Sequence, residues 1–366
     1  MRLLMAICLG CFSCLSQAQE IERSFGISFG NGSIYAHTKD VENTSGSKPS
    51  GFQLSYNWRK LDSATFQKFS GLPTQSVFVN YTNFDNSIIG NGIIAAYAIQ
   101  PNIRFSNKVG LQFQTAAGFA YLSNPYNPIH NPTNSSYSTT ISAYLDLGLN
   151  VYWNFADQWQ LSLGGHYRHL SNAGIKLPNK GVNWTTADIG IRYALTPFKP
   201  LTQLINRYKQ LPYQKYKYWE LYAFGAARSI SNELIKRYPV YGMGITHNWQ
   251  TARSHGFTAG VEIYHDGALA EQLLESNQKT TLANAISVLG GHAFLWGKVA
   301  FTQQIGVYLI SHGSNFPGWY HRWGLQYQMN KKLALGINLK AHKQIAQFPD
   351  LRLIYRFGNS TVSRKQ

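Results

Sequence analysis

The chain has 366 residues, of which 13% are charged and 14% aromatic, and its formal net charge is +17. The charged fraction is well below the roughly 25% of an average soluble domain. Beyond the first twenty residues no stretch of about 18 apolar residues occurs, which excludes a transmembrane helix. Few charges together with many aromatic residues and glycines are typical of a membrane β-barrel with aromatic girdles.

Residues 1–18 are expected to be a secretory signal peptide. Arg2 supplies a positive charge, an apolar run follows, and Ser16 and Ala18 are the small residues that a signal peptidase reads. We expect cleavage near Ala18. All the cysteines, Cys8, Cys11 and Cys14, lie in this segment, so we expect the mature chain to have no disulfide, cysteine nucleophile or thiolate metal site.

The excess of basic residues indicates which kind of molecule the protein could bind. An exported protein rarely meets nucleic acid, so nucleic acid is not expected as a partner. Two interpretations remain: the basic residues bind phosphorylated lipid head groups, or they form a solvated surface. The histidines are scattered and no phosphate-binding or cofactor motif is present, so no metal and no cofactor is predicted. Nothing in the sequence indicates an oligomeric state.

Strict alternation of apolar and polar residues is the strongest signal in the chain. From Ile141 to Phe155 every odd-numbered residue is apolar, and every even-numbered residue is polar, tyrosine or glycine. In a membrane barrel, successive residues of a strand face lipid and lumen in turn. We therefore predict an all-β fold, an antiparallel transmembrane β-barrel of roughly 12–16 strands. A soluble β-sandwich is a less favoured alternative, because its outward rows would be polar.

Alternating segments separated by turn residues can be placed along the whole chain. Short connections, such as 154–158, are predicted to be periplasmic turns, and long ones, such as 123–139 and 266–281, to be extracellular loops. The predicted strands begin near Ser24, Gly51, Ser76, Ile88, Val109, Ile141, Trp159, Thr185, Trp219, Tyr238, Gly256, Ile286, Val299, Tyr320, Leu333 and Asp350.

The strands fall into two sets, at 19–195 and 219–357. Between them lies a basic, tyrosine-rich segment with three prolines, 196–218, and a polar tail follows at 358–366. The basic segment is either a periplasmic loop of one barrel over 19–366 or a linker between two eight-stranded barrels in series. The single barrel is the preferred interpretation.

The predicted strand from Trp159 to Ser171 carries residues that can act as catalysts. Its odd row is apolar and faces lipid, and His169 and Ser171 continue this row at the extracellular rim. His169 can take the Ser171 proton as Oγ attacks an ester carbonyl, while the Asn172 side chain and the N–H near Gly174 can stabilise the oxyanion. On spacing alone, two interfacial polar residues at a strand end are the favoured interpretation.

The longer segment 169–183 is more specific. It resembles the signature of the outer-membrane lipid A 3-O-deacylase (PagL-type, acyloxyacyl hydrolase) family, His-x-Ser-Asn-Ala-Gly followed by Lys-x-Pro-Asn-x-Gly. The resemblance implies an outer-membrane Ser–His hydrolase that removes an ester-linked acyl chain from lipid A. It implies that His169 is the base and Ser171 the nucleophile. The chain looks like a long form of the family. The matched positions are His169, Ser171, Asn172, Ala173, Gly174, Lys176, Pro178, Asn179 and Gly181.

One position departs from the family pattern. Asn183 stands where the family has a catalytic glutamate. Its amide oxygen can accept the His169 ring N–H, but it brings no negative charge, and exchanging a triad acid for its amide costs about 10⁴ in rate in a serine protease. The alternative function is therefore a non-catalytic barrel of the same family, a pore or a structural protein. Lys176 and Lys180 are predicted either to contact lipid A phosphates or to be solvated.

Overall fold

A computed structural model of the chain describes residues 21–230, 236–310, 318–343 and 345–362. The expected signal peptide lies outside these ranges. Within them, seventeen strands form two antiparallel barrels. None of the helices in the described part of the chain is long and apolar enough to cross a membrane.

The first barrel spans residues 21–194. Strands adjacent in sequence pair with each other, except for β4 (Asn91–Gln100) and β5 (Asn102–Arg104), which both pair with β6 (Val109–Leu122). The ring is closed by β1 (Ile21–Ile34), which pairs with β9 (Val182–Ala194), and the short β5 lies at its edge. Helix α1 (Ser63–Phe69) follows β2, and a 3₁₀ segment (Lys39–Thr44) lies between β1 and β2. The strands are β1 (Ile21–Ile34), β2 (Ser50–Lys60), β3 (Thr74–Asn83), β4 (Asn91–Gln100), β5 (Asn102–Arg104), β6 (Val109–Leu122), β7 (Ile141–Ala156), β8 (Trp159–Ser171) and β9 (Val182–Ala194).

The second barrel begins at residue 215 and is closed by pairing between its first and last strands. Helix α2 (Thr202–Lys209) precedes it, and α3 (Gly267–Glu275) and a second 3₁₀ segment (Thr280–Ala283) lie between its third and fourth strands. The strands are β10 (Lys215–Arg228), β11 (Tyr238–Ala252), β12 (His255–Asp266), β13 (Asn284–Trp296), β14 (Val299–Ile310), β15 (Trp319–Gln328), β16 (Leu333–His342) and β17 (Ile345–Val362).

Two closed barrels correct the preference for a single barrel. The segment after β9 is a linker, and its last residues already belong to β10. The tail predicted from residue 358 is also corrected, because β17 continues to Val362 opposite Lys215. Alternation reports only which side of a strand faces lipid. Ring closure depends on pairings between strands that are distant in sequence, and the local pattern contains no record of them.

The predicted alternation is confirmed in both barrels. On β7, Leu145, Leu147 and Leu149 are 44–58% exposed, whereas Tyr144 and Asp146 of the alternate row are 1% exposed. The exposed row is the one that the sequence places against lipid. An apolar outer wall of this kind is stable only where lipid covers it, which is the physical basis of the transmembrane barrel.

Buried charges line the lumen of each barrel. In the first, Arg168 pairs with Asp188 at 2.5 Å. In the second, Arg322 pairs with Glu262 at 2.6 Å and also with Asp350. These lumen-facing arginines therefore have carboxylate partners, as a low-dielectric interior requires.

The two barrels contact each other at both rims. At the rim where the chain enters and leaves the first barrel, the rings of Phe69 in α1 and Trp296 in β13 are 6.3 Å apart. At the opposite rim, the backbone of Ala346 at the start of β17 lies beside Gly174. A Cβ added to Gly174 would be 3.5 Å from the carbonyl oxygen of Ala346. The second barrel therefore lies next to the segment that carries the sequence motif.

Candidate active site

Two neighbouring strands bring the predicted catalytic residues together. His169 and Ser171 end β8, Asn183 is the second residue of β9, and His169 and Asn183 stand directly opposite each other in the β8–β9 ladder. Arg168 and Leu170 are buried in the lumen. Because side chains alternate along a strand, His169 and Ser171 lie on the outer side of the barrel wall.

These outward side chains are covered by the loops above them. Ser171 is 9% exposed and Asn183 is 7% exposed. The covering segment is held by a hydrogen bond from the Gly181 N–H to the carbonyl oxygen of Ser136 at 2.7 Å. Gly181 has φ +80°, and an added Cβ there would lie 2.8 Å from Cε1 of His169. A glycine is therefore required for the loop to pack on the imidazole ring.

The hydrogen bonds of Asn183 determine the tautomer of His169. The Asn183 Oδ1 atom is 2.6 Å from Nδ1 of His169, and it also accepts the Tyr167 hydroxyl at 2.9 Å. A carbonyl oxygen can only accept, so Nδ1 of His169 carries the hydrogen. Nε2 then keeps its lone pair, which is the form that a general base needs.

A second histidine binds the other end of the same amide. The Asn183 Nδ2 atom donates to Nδ1 of His37 at 2.9 Å, across 146 positions of sequence. His37 follows β1 and continues its outward, odd-numbered row, in which Phe25 and Phe29 are exposed. Sequence reasoning missed His37. The alternation of β1 predicts that His37 faces outward. Placing it beside Asn183, however, also requires knowing that β1 pairs with β9.

The turn after Ser171 presents a backbone N–H to the hydroxyl. The Ala173 N–H donates to Ser171 Oγ at 3.4 Å. The oxyanion donors predicted from sequence are already used inside this turn: the Gly174 N–H donates to Asn172 Oδ1 at 3.0 Å, and Asn172 Nδ2 donates to the Lys176 carbonyl oxygen at 2.7 Å. The donor nearest the hydroxyl is therefore the N–H of Ala173.

The base and the hydroxyl are adjacent but not joined. Among the described residues, no hydrogen bond connects His169 to Ser171 Oγ. Residues two apart in a strand share one face, and catalytic hydrogen bonds often close only in the complex with substrate. The site therefore combines an oriented imidazole with a neighbouring hydroxyl that is held by a backbone amide.

The two lysines of the motif segment have different surroundings. Lys180 forms an ion pair with Asp40 at 2.8 Å, and the lysine holds the pKa of the Asp40 carboxyl below its ordinary value. The Lys176 side chain is exposed, and the structure shows no ion pair to it within the ranges described. Lys176 is thus the cation more accessible to an anionic ligand, while the charge of Lys180 is balanced by the Asp40 carboxylate.

A shallow groove runs along the outer wall below Tyr167. It exists because the outward row has no side chain at Gly165, and its volume is about 490 Å³. A long apolar chain that follows the barrel wall can lie in such a depression. The outward-facing residues of the groove are Leu147, Leu149, Gly165, Tyr167 and Thr185.

Comparisons with known proteins match each barrel separately. Residues 50–192 match the family described as lipid A 3-O-deacylase (PagL). Residues 217–359 match the family described as acyloxyacyl hydrolase, C-terminal domain. No curated protein matches the chain. The resemblance inferred from the segment 169–183 is confirmed by the first match.

Several solved structures are similar to part of the chain. The outer membrane enzyme PagL is 15% identical over 45% of this chain and 97% of its own, with a TM-score of 0.32. Neisserial surface protein A is 9% identical over 47% and 96%, with a TM-score of 0.31. Ail, the attachment invasion locus protein of Yersinia pestis, is 18% identical over 48% and 99%, with a TM-score of 0.26. The family matches extend over both barrels, and the chain belongs to the lipid A 3-O-deacylase family of outer-membrane β-barrel proteins.

Proposed function

We propose that this chain is an outer-membrane hydrolase that removes an ester-linked acyl chain from lipid A with Ser171 and His169. The observation that carries the proposal is the 2.6 Å contact between Nδ1 of His169 and Oδ1 of Asn183. It leaves the basic Nε2 atom in the same outward row as the Ser171 hydroxyl. Two interfacial polar residues at a strand end would not require this orientation.

The proposed reaction has two stages. Nε2 of His169 takes the Ser171 proton while Oγ attacks the ester carbonyl carbon, and the oxyanion formed accepts the Ala173 N–H. The tetrahedral intermediate collapses to an acyl-enzyme, and the departing sugar oxygen receives the proton from Nε2. Water then attacks the acyl carbonyl carbon and gives a proton to Nε2, the bond to Oγ breaks, and Nε2 returns that proton to Oγ as the fatty acid leaves.

The predicted oxyanion donors have a supporting role in this proposal. The Asn172 side chain accepts the Gly174 N–H at 3.0 Å and donates to the carbonyl of Lys176 at 2.7 Å. Together these bonds form the turn that points the Ala173 N–H toward Ser171. Asn172 and Gly174 therefore shape the oxyanion site, and Ala173 supplies the donor.

Asn183 performs part of the task of a triad acid. It orients the imidazole and fixes the hydrogen on Nδ1, but it offers only an amide dipole to the imidazolium that forms. In the serine protease precedent the amide lowers the rate because it selects the wrong tautomer. Here the oxygen faces His169, so we expect a smaller loss than in that precedent.

The surroundings fit a substrate that lies in the membrane. The catalytic row is on the outer side of the wall, at the rim with the long loop 123–140, and the groove of about 490 Å³ continues from Tyr167 along the wall. Lipid A offers acyl chains for such a groove and phosphates that the exposed Lys176 can bind. We place the site at the extracellular leaflet of the outer membrane, after export with a signal peptide cleaved near Ala18.

The alternative is a non-catalytic barrel of the same family, and the amide at Asn183 is the observation that favours it. A pore is disfavoured, because Trp184 in the first lumen and Arg322 and Lys340 in the second are fully buried. A wide aqueous channel would leave such side chains exposed to water. The remaining form of the alternative is a structural barrel with an inactive site.

Mass spectrometry of lipid A tests the proposal. Cells that express the full chain should yield lipid A lighter by one acyl chain, and Ser171→Ala and His169→Ala should abolish the change. Ser162→Ala is the matched control, because Ser162 lies in β8 but faces the lumen. Heat-modifiable migration on gels verifies that each variant is folded. Unchanged lipid A with a folded wild-type protein, or a change that survives Ser171→Ala, contradicts the proposal.

A further inference from the structure

Besides lacking a negative charge, Asn183 differs from a carboxylate in a second property that matters for the proposed reaction: its two terminal atoms are not equivalent. With Oδ1 toward His169, the ring hydrogen is on Nδ1 and Nε2 is free to act as base. If the amide were rotated by half a turn, its NH₂ group would face Nδ1 and require the lone pair there. The ring hydrogen would then move to Nε2, and His169 could not accept the Ser171 proton.

Something must therefore hold the amide in the productive orientation. Oδ1 accepts from Tyr167 at 2.9 Å, and Nδ2 donates to Nδ1 of His37 at 2.9 Å. A tyrosine hydroxyl can donate or accept and so tolerates both orientations of the amide. His37 discriminates between the two orientations in the tautomer with its ring hydrogen on Nε2, because Nδ1 then presents a lone pair and accepts only from the NH₂ end of the amide. Asn183 is 7% exposed, so bulk water does not compete for either atom.

The loop that carries His37 is anchored to the site independently. Its 3₁₀ segment contributes Asp40, which pairs with Lys180 of the motif segment at 2.8 Å. Asn43 of the same segment donates to the carbonyl oxygen of Thr133 in the β6–β7 loop at 2.9 Å. The Tyr35 N–H donates to the Asn183 carbonyl oxygen at 2.8 Å. These contacts hold the backbone before His37 against β9, and the backbone after it against the motif segment and the β6–β7 loop.

We propose that His37 is a positioning residue, which orients the Asn183 amide and thereby selects the His169 tautomer that can act as the base. The inference rests on the proposed deacylase function. The two oxygens of a carboxylate are equivalent, so an acid at this position would orient His169 whichever oxygen faced it. An amide must present its oxygen, and the hydrogen bond from Nδ2 to His37 favours that orientation. His37 itself is not proposed to touch substrate.

Kinetics of the purified full chain on lipid A in detergent micelles test this role. His37→Leu removes the acceptor and should lower kcat about tenfold, the loss of one buried hydrogen bond together with the productive tautomer, while KM stays within about twofold. His37→Asn, the conservative variant, places an amide oxygen near the position of Nδ1 and should recover most of kcat.

An Asn183→Asp background separates positioning from general support of the fold. A carboxylate presents an oxygen to His169 in either orientation, so His37→Leu should lower kcat by less than about threefold there. An equal loss in both backgrounds would mean that His37 only supports the structure. No loss in the wild-type background would also overturn the proposal.

A spectroscopic measurement distinguishes failure of this inference from failure of the proposed function. Nitrogen-15 NMR of histidine-labelled protein reports which ring nitrogen carries hydrogen. We expect His169 protonated on Nδ1 in the wild type and a shift toward Nε2 in His37→Leu. If no variant cleaves lipid A, the deacylase proposal fails while this tautomer shift still supports the role of His37. An unchanged His169 tautomer in His37→Leu overturns that role whatever the activity.

Discussion

The amide oxygen of Asn183 lies 2.6 Å from Nδ1 of His169, directly across the β8–β9 ladder. An uncharged side chain thus occupies the place where the family pattern has an acid, and it holds the imidazole in the tautomer of a general base. Two functions of a triad acid, orientation and charge, are separated in this site. Orientation is present, and the compensating charge is not.

The Tyr167 hydroxyl should contribute modestly to catalysis. Tyr167→Phe removes one of the two hydrogen bonds to Asn183 Oδ1, which is worth about 1 kcal/mol, so we expect kcat to fall about fivefold with little change in KM. Steady-state kinetics on lipid A measure the effect. Tyr121→Phe, at an exposed position of β6, is the control and should behave as wild type. A similar loss in both variants would contradict the assignment.

The turn after Ser171 should depend on the Asn172 side chain. Asn172→Ala deletes the acceptor of the Gly174 N–H and the donor to the Lys176 carbonyl. We expect deacylation to fall by more than about tenfold, because the Ala173 N–H loses its direction. The barrel should still migrate as folded, since the β8–β9 ladder does not use this side chain. Asn31→Ala, at an exposed position of β1, is the matched control, and activity near wild type in Asn172→Ala would refute the prediction.

Acid should release the β1–β2 loop from the motif segment. Lys180 lowers the pKa of Asp40 below its ordinary value of 3.8. A carboxyl whose pKa is lowered by folding stabilises the folded state above its ordinary pKa, and this contribution disappears as the pH falls through the lowered value. Both side chains are partly exposed, so the effect is local and small.

Hydrogen exchange in the 3₁₀ segment at Lys39–Thr44 measures this release. At neutral pH, Asp40→Asn should exchange faster than wild type, and the difference should shrink below pH 3.8 and vanish once the pH is below the lowered pKa of Asp40. Glu42→Gln alters another exposed acid of the same segment and should match wild type throughout. A wild-type advantage that persists at the lowest pH would argue against the ion pair as its cause.

The second barrel should be sensitive to its buried arginine. Arg322 is fully buried and pairs with Glu262 at 2.6 Å and with Asp350. Glu262 and Asp350 are also paired with Arg352, so Arg322→Leu leaves two buried carboxylates with one arginine partner, and we expect a loss of about 3–5 kcal/mol in the free energy of unfolding. Urea titration in lipid vesicles measures it, with the exposed Lys331→Ala as control. An unchanged unfolding midpoint would show that Arg352 alone balances the cluster.

Much of the barrel was predictable because the membrane acts on each strand locally. Lipid outside and packed side chains inside impose a period of two, so the sequence shows the strands and their phase directly. The same phase placed His169, Ser171 and Asn183 in outward rows at one rim, where the structure has them. The appended β5 and the extended end of β17 were missed, because their residues do not alternate clearly.

The sequence by itself determined the strands, the side that each residue faces and the motif on β8. Only the tertiary structure decided that the strands close into two rings and that β1 pairs with β9. That closure brings His37 to the amide of Asn183, 146 positions away, and loop packing leaves the N–H of Ala173, rather than that of Gly174, beside Ser171. The reason is physical: facing is a local property of a strand, whereas ring closure and hydrogen-bond direction depend on atoms that the chain brings together from distant positions.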